Sequence, residues 1–397
     1  MSRVRFQANL VNGNPFRSED FRFERGDDLI PLVRIRDIKS TNFETFIDKK
    51  DVPNEFLIRD GDLVIGMDGD FNSVIWDRGP AALNQRMCLL RSSDEQTTRF
   101  ISYAVPHQLK MVNELSYATT VKHLSSQQVL DLWLPDISRR QQHAIADYLD
   151  RETAEIDAMR ADLDGMEALL TERRATTISR NIESAAGADA PIALMAKVTI
   201  GKMIQSKAKR PGDVEAPYLR AAHIPAPGTL NMQVAEKRMW FSPEELSHFT
   251  VHTGDVLIVE GGAGYGRSAV VVDDLEGWGF QNSIIRVRAR DGVSSGKFIA
   301  YALQQAQAEG KIELQVSTAT LPHFTAEKVE RFRLPLPPLE EQRRIVDEID
   351  RETAEIDAML ADITELRELL AERRAAVIAA AVTGQIDIPT AEEPTHA

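Results

Sequence analysis

Residues Gly261 to Ser268 (GGAGYGRS) carry the spacing of a phosphate-binding loop, G-x-x-x-x-G-K-[ST], with Arg267 where the phosphate-gripping lysine would stand. Such a loop needs a helix directly behind it, so that backbone N–H groups at the helix N-terminus face the phosphates. Here Ala269-Val270-Val271-Val272 follows, a β-branched run that reads as a strand. Gly261, Gly262, Gly264 and Gly266 are therefore expected to form a turn between strands, without nucleotide hydrolysis. Asn14-Pro15-Phe16 comes near the tetrapeptide of amino-methyltransferases but lacks its second proline, and no cofactor-binding glycine motif accompanies it. His248 and His252 have the i,i+4 spacing of a metal pair, yet the glutamate of an HExxH motif is missing and no further ligand is evident. The single cysteine, Cys88, excludes a disulfide framework and a thiolate zinc site. No catalytic residue and no metal ligand is assigned.

The remaining suggestive pattern is of the kind that meets nucleic acid: Arg, Lys, Asn and Tyr on loops, where phosphate contacts position a protein and base-edge contacts specify. In the first half these are Arg17, Arg34, Arg36, Lys39, Asn72 and Arg78; in the second, Lys202, Lys207, Lys209, Arg210, Arg220, Tyr265 and Arg267. Any one of them could instead be a solvated charge or half of a structural ion pair. A net charge of −14 argues at first against DNA. It is concentrated, however: residues 150–178 hold 8 acids and 4 bases, and residues 340–374 hold 12 and 6, so the rest of the chain is close to neutral.

Those two acidic stretches are the elements that must position everything else. Asp150 to Met159 reads DRETAEIDAM, and Asp350 to Met359 repeats the same ten letters 200 positions later. Around the block both copies open on Leu-Pro (Leu134-Pro135, Leu334-Pro335) and close on Glu-Arg-Arg-Ala (residues 172–175 and 372–375), so the duplicated unit includes a long helix. A seven-residue apolar repeat places Leu149, Ile156, Leu163, Leu170 and Thr177 at position a of the first copy, and Ile349, Ile356, Ile363, Leu370 and Val377 in the second. Position d is expected to be Met159 and Met166, matched by Met359 and Leu366. Each helix should run about 40 residues, roughly 60 Å at 1.5 Å per residue.

The segments ahead of the helices are related more distantly. PLVRIRDI (31–38) aligns with PYLRAAHI (217–224), GDLVI (61–65) with GDVLI (254–258), and FISYA (100–104) with FIAYA (298–302); His123 and His323 again fall 200 apart. Short runs such as DLVIG, DVLIVE and SIIRVRAR read as strands, and FISYAVPHQLK and FIAYALQQAQ as helices. The expected architecture is α+β: two mixed α/β heads separated by two long antiparallel coiled-coil helices with a pseudo-twofold repeat. The first head covers residues 1–133, the central helix 134–182, the second head 183–333 with a linker at 183–192, the C-terminal helix 334–384, and a tail 385–397. Because the connector after the first helix is short, the second helix can pack on the first only by running back, which sends the heads to opposite ends. No signal-peptide core and no run near 18 apolar residues is present, so a cytoplasmic protein is expected.

This arrangement resembles the specificity (S) subunit of type I restriction-modification systems. The resemblance spans essentially the whole chain, and Leu334-Pro335-Leu336-Pro337-Pro338-Leu339-Glu340-Glu341-Gln342-Arg343-Arg344-Ile345 matches the family's PLPPLxEQxxI lead-in to a helix. The first copy keeps only the frame of that lead-in, reading Leu134-Pro135-Asp136-Ile137-Ser138-Arg139-Arg140-Gln141-Gln142. The resemblance implies a non-catalytic chain that binds double-stranded DNA and two methyltransferase (M) subunits and, in a full complex, two restriction (R) subunits. It would hold no cofactor itself; its partners would use S-adenosylmethionine, ATP and Mg. Two different heads imply an asymmetric, interrupted target. A free-standing coiled-coil scaffold whose heads bind protein or another ligand is the other class that the pattern allows.

Overall fold

A computed structural model describes residues 2–115, 122–316 and 322–390. The chain divides into two compact units, Met1–Asp162 with Glu365–Ala397, and Leu163–Thr364. Each unit therefore joins one head to parts of both long helices, which run Arg139–Glu183 and Leu339–Val382.

The two heads are built alike. In the first, a four-stranded antiparallel sheet has the order Asn9–Asn12, Met87–Arg91, Leu63–Gly66, Ser73–Ile75; in the second, the order is Ala196–Ile200, Ile284–Ala289, Val256–Val259, Ser268–Val270. A second sheet follows in each. Leu29–Val33 pairs in parallel with Ala81–Leu83 in the first head, and Val214–Leu219 with Gly279–Phe280 in the second. A short ribbon closes each head, Ser2–Arg3 with Trp133–Leu134 and Asp189–Pro191 with Arg333–Pro335. The helices expected from FISYA and FIAYA are present at Glu95–Ala104 and Gly296–Ala308, and the glycine segment lies between strands as expected.

The repeated Gly-Asp has a physical reason in both copies. Gly61 (φ 89°) and Gly254 (φ 84°) take the left-handed region that a side chain disfavours. The aspartate that follows is buried and held in a fork by an arginine of the adjacent strand: Arg91 Nε and Nη2 reach Asp62 at 2.6 and 2.5 Å, and Arg288 Nε and Nη2 reach Asp255 at 2.7 Å each. A buried carboxylate is tolerable because the guanidinium and a backbone N–H (Arg59, His252) satisfy it.

The ten-residue block is also explained. Asp150 and Asp350, its first residues, each accept a hydrogen bond at 2.5 Å from a tyrosine hydroxyl of the adjoining head, Tyr103 and Tyr301, and each is ion-paired to a base of the same head helix, Arg99 and Lys297. Thr153 and Thr353 are buried and bond back to the carbonyls of Leu149 and Ile349. Asp157 and Asp357 face the other long helix, pairing with Arg374 (3.5 Å) and Arg174 (2.6 Å). In the second unit Arg174 meets Asp357 while Arg180 meets Glu352 at 2.6 Å, so one helix number rises as the other falls and the pairing is antiparallel.

Three expectations need correction. The helices start at Arg139 and Leu339 rather than at 134 and 334, because Leu134 and Leu334 belong to the closing ribbons; Ser138 Oγ then accepts the Gln141 N–H at 3.2 Å. The tail is not free from residue 385: Ile388 is buried in the core of the first unit and Ile386 packs beside it, while the tail beyond 390 lies outside the described residues. The heptad seam is narrower than expected. Position a is buried at Leu149, Ile156, Ile349, Ile356, Ile363 and Leu370 and half-buried at Leu163 and Leu170. The d residues Met159, Met166, Met359 and Leu366 are instead 41 to 52% exposed. Each helix buries one narrow apolar stripe, and position d falls on its exposed flank.

Candidate functional site

Chain connectivity brings the loops of each head to one end of its main sheet. In the first head Asn12 lies opposite Cys88, and Gly66 opposite Met87, so the segments starting at Gly13, Met67 and Asn84 leave the sheet together. The Val33–Leu83 register adds the segment from Arg34. The second head repeats this with the segments after Ile200, Leu219, Val259 and Phe280. Close backbone approach fixes the arrangement: a Cβ on Gly13 would meet Asn84 O at 1.8 Å, and one on Gly201 would meet Gln281 O at 2.2 Å.

Most of the DNA-contact candidates lie at these loop ends. Arg17, Arg36 and Lys39 are exposed; Arg17 is 3.3 Å from Glu19 and Arg36 is 3.0 Å from Glu44. Arg34 is half-buried and donates to Asp37 at 2.9 Å. The Asn72 main chain caps Gly66 (2.8 Å), leaving its half-buried side chain at the hairpin tip. In the second head Lys207, Lys209 and Arg210 are exposed. Arg267 is half-exposed and bonds Pro225 O at 2.7 Å, Arg220 bonds Ala235 O at 3.2 Å, and Tyr265 packs part of its ring on the core.

Two candidates are structural. The Arg78 side chain is 14% exposed, stacked 4.0 Å over the Trp76 ring, and donates to Ser40 O (2.6 Å) and Ile38 O (2.9 Å). Lys202 is 10% exposed, ion-paired to Glu245 and set over the Phe241 ring. The carbonyls, carboxylate and rings that surround these two charges leave them little reach toward a ligand.

The residues that sequence reasoning missed are Arg86, Asp68 and His123. Arg86 sits at φ 63°, uncommon for a side-chain-bearing residue, and projects largely exposed from the turn entering the Met87 strand. Its Nη1 donates to Asp68 at 2.7 Å, and His123 Nδ1 lies 2.7 Å from the other oxygen of the same carboxylate. Burial would raise the Asp68 pKa, but the His123 and Arg86 contacts outweigh it and hold the carboxyl below its usual range. The second head places His323 beside Glu260 (3.8 Å), and Gly261 is required there because a Cβ would meet the imidazole Nδ1 at 2.5 Å. The 200-residue spacing of His123 and His323 marks them as equivalent positions, a signal that could have found them, although it assigns them no role. His248 and His252 do not converge: the former lies edge-on to Phe249, and the latter is 3.8 Å from Asp274.

Comparison with known proteins falls on both heads. The family model described as Type I restriction modification DNA specificity domain matches residues 8–166 and 196–367. The type I restriction enzyme EcoBI specificity subunit of Escherichia coli is 36% identical over 173 residues, spanning 43% of this chain and 36% of that protein, about a third of the relative's length. The StySPI specificity subunit of Salmonella potsdam is 21% identical across 96% of this chain and 87% of its own. A chain from a structure of complex assembly and conformational transition of the type I R-M system aligns over 97% of both chains with TM-score 0.58 and 17% identity, a likeness of fold.

Proposed function

Because the chain belongs to the type I restriction-modification DNA specificity family, matched in both of its halves, we propose that it is the non-catalytic subunit that chooses the DNA sequence on which partner methyltransferase subunits act. The observation that carries this reading is the contrast within the duplication. Key residues that dock head to helix and pair the helices recur at equivalent positions (Tyr103 and Tyr301, Asp150 and Asp350, Asp157 and Asp357, Arg174 and Arg374), while the loop ends of the two heads differ: Arg86 and Asp68 in one, and Lys207, Lys209, Arg210 and Arg267 in the other. Two frames of one design with different reading edges suit two different half-sites, hence an asymmetric, interrupted target. The long helices supply a surface for two M subunits, and a full complex adds two R subunits; S-adenosylmethionine, ATP and Mg are used by those partners.

The test is to co-express the chain with its methyltransferase subunit and map modified bases by single-molecule sequencing, before and after residues 191–333 are replaced by the equivalent head of a related subunit. One half-site should change and the other persist. If both change, or neither does, the two-reader model fails. If no sequence-specific methylation or duplex binding appears with any partner, the scaffold reading replaces it.

A further inference from the structure

The segment from Gly201 to Asp213 in the second head combines three features that a solvent-exposed loop has no structural need for. Met203 is 76% exposed and Ile204 is 58% exposed, although both are large and apolar. The residues on either side of this pair are pinned. Lys202 N donates to Phe280 O and Lys202 O accepts from Asn282 N, each at 3.0 Å, while its ammonium is clamped by Glu245. Gln205 is buried; its carbonyl accepts from Trp240 N at 2.9 Å, and its Nε2 donates to Lys207 O at 3.1 Å and Asp213 Oδ2 at 3.3 Å. Asp213 accepts the backbone N–H groups of Lys209 (2.8 Å) and Arg210 (3.2 Å), which fixes the far side of the loop. The apolar pair is thus held outward by a tied backbone, and Lys207, Lys209 and Arg210 follow it with no acid before Asp213.

A rigid apolar tip next to a cluster of cations matches the device by which proteins wedge Met, Ile, Leu or Phe between base steps and kink the duplex, the cations holding the flanking phosphates. A protein surface would be met equally well by a neutral rim. The unbroken positive charge after the tip, at the same sheet end as the other loops, selects a polyanion. We propose that Met203 and Ile204 form a wedge that enters a base step of the DNA half-site read by the second head, with Lys207, Lys209 and Arg210 seated on the adjacent phosphates. The inference rests on the DNA-recognition reading and adds how one half-site is deformed. The first head lacks the combination. Its corresponding segment exposes Phe23, but residues 17–28 hold Arg17, Arg22 and Arg25 against Glu19, Asp20, Glu24, Asp27 and Asp28. Deformation is therefore confined to one half-site.

The experiment uses the chain assembled with its methyltransferase subunits and a duplex carrying the mapped target. 2-Aminopurine is placed in turn at each step of both half-sites, away from the methylated bases, which a methyltransferase itself extrudes. The native complex should raise fluorescence severalfold at one step of the second head's half-site. M203A/I204A should abolish that signal and weaken binding about tenfold with the salt dependence unchanged. K207Q/K209Q/R210Q should keep the signal while the slope of log affinity against log salt falls by about 3. F23A should leave both unchanged. A full fluorescence signal in M203A/I204A overturns the wedge, as does loss of the methyltransferase subunit from that variant on size exclusion, which would make the pair a protein contact. Failure of the native complex to bind the target at all would instead count against the DNA-recognition reading.

Discussion

Replacing Ile356 and, separately, Met359 with alanine distinguishes the seam seen in the structure from the seam that a heptad implies. Ile356 is 4% exposed and Met359 is 41% exposed, and both lie within the second unit, in the same helix one turn apart. Emptying a buried isoleucine site costs about 2–5 kcal/mol, and the lower half of that range applies where only one stripe is covered. Truncating a side chain that already has much of its surface in water should cost less than about 1 kcal/mol. Both variants end in alanine, so helix propensity nearly cancels in the comparison. For a unit of this size, each kcal/mol moves the midpoint by about 2–4 °C, giving a fall of roughly 5–10 °C for Ile356→Ala and about 1–3 °C for Met359→Ala. Thermal unfolding of the isolated chain, followed by calorimetry, provides the readout. Equal losses in the two variants would refute the a-only seam and restore the full heptad.

Further outcomes are expected from side chains whose roles the structure fixes. Tyr301 is pushed well above the ordinary phenol pKa by burial first and then by its bond to Asp350, so its stabilisation is complete below about pH 10, the unfolded value, and is lost as pH rises through the folded value; urea midpoints between pH 8 and about 11.5 should fall in the native chain and flatten in Tyr301→Phe, and an identical slope in both would dismiss the pair. Burial raises the Cys88 thiol to about 12, so a disulfide reagent should leave the folded chain unlabelled and react with this lone cysteine only as the first head opens; prompt labelling at neutral pH would contradict the packing. Arg78→Ala should lower the stability of the first head by about 1–3 kcal/mol while leaving the salt slope of DNA binding unchanged, whereas a slope reduced by about 1 would return Arg78 to the phosphate contacts.

What could be read from the letters was whatever the chain repeats. The a positions, the Gly-Asp turns, the paired helices FISYA and FIAYA and the glycine turn at 261–266 are local patterns with a period or a steric signature. The exposure of Met159 and Met359 was not legible, because a heptad records spacing but not how many neighbours a helix has. Arg78 and Lys202 read as ligand contacts in the sequence because an arginine or lysine on a loop looks the same until Trp76 or Glu245 is seen to close on it. Arg86 escapes notice for the converse reason: its left-handed backbone is set by the turn that carries the chain from Ala81–Leu83 to Met87–Arg91, strands of two different sheets, and nothing in Asn84-Gln85-Arg86-Met87 announces that.

The reciprocal contacts of the long helices bear on how such a chain can drift. Arg374 holds Asp157 and Arg174 holds Asp357, so each copy supplies the arginine for the other copy's aspartate. Asp150 and Asp350 meanwhile answer to their own heads through Tyr103 and Tyr301. A substitution at Asp157 or Asp357 is therefore felt in the other copy, at Arg374 or Arg174, and one at Asp150 or Asp350 is felt in its own head, so neutral paths out of DRETAEIDAM require matched changes at distant sites. The loop ends carry no such mutual obligation. Selection for new targets can rewrite them freely while the helices stay locked to each other's sequence.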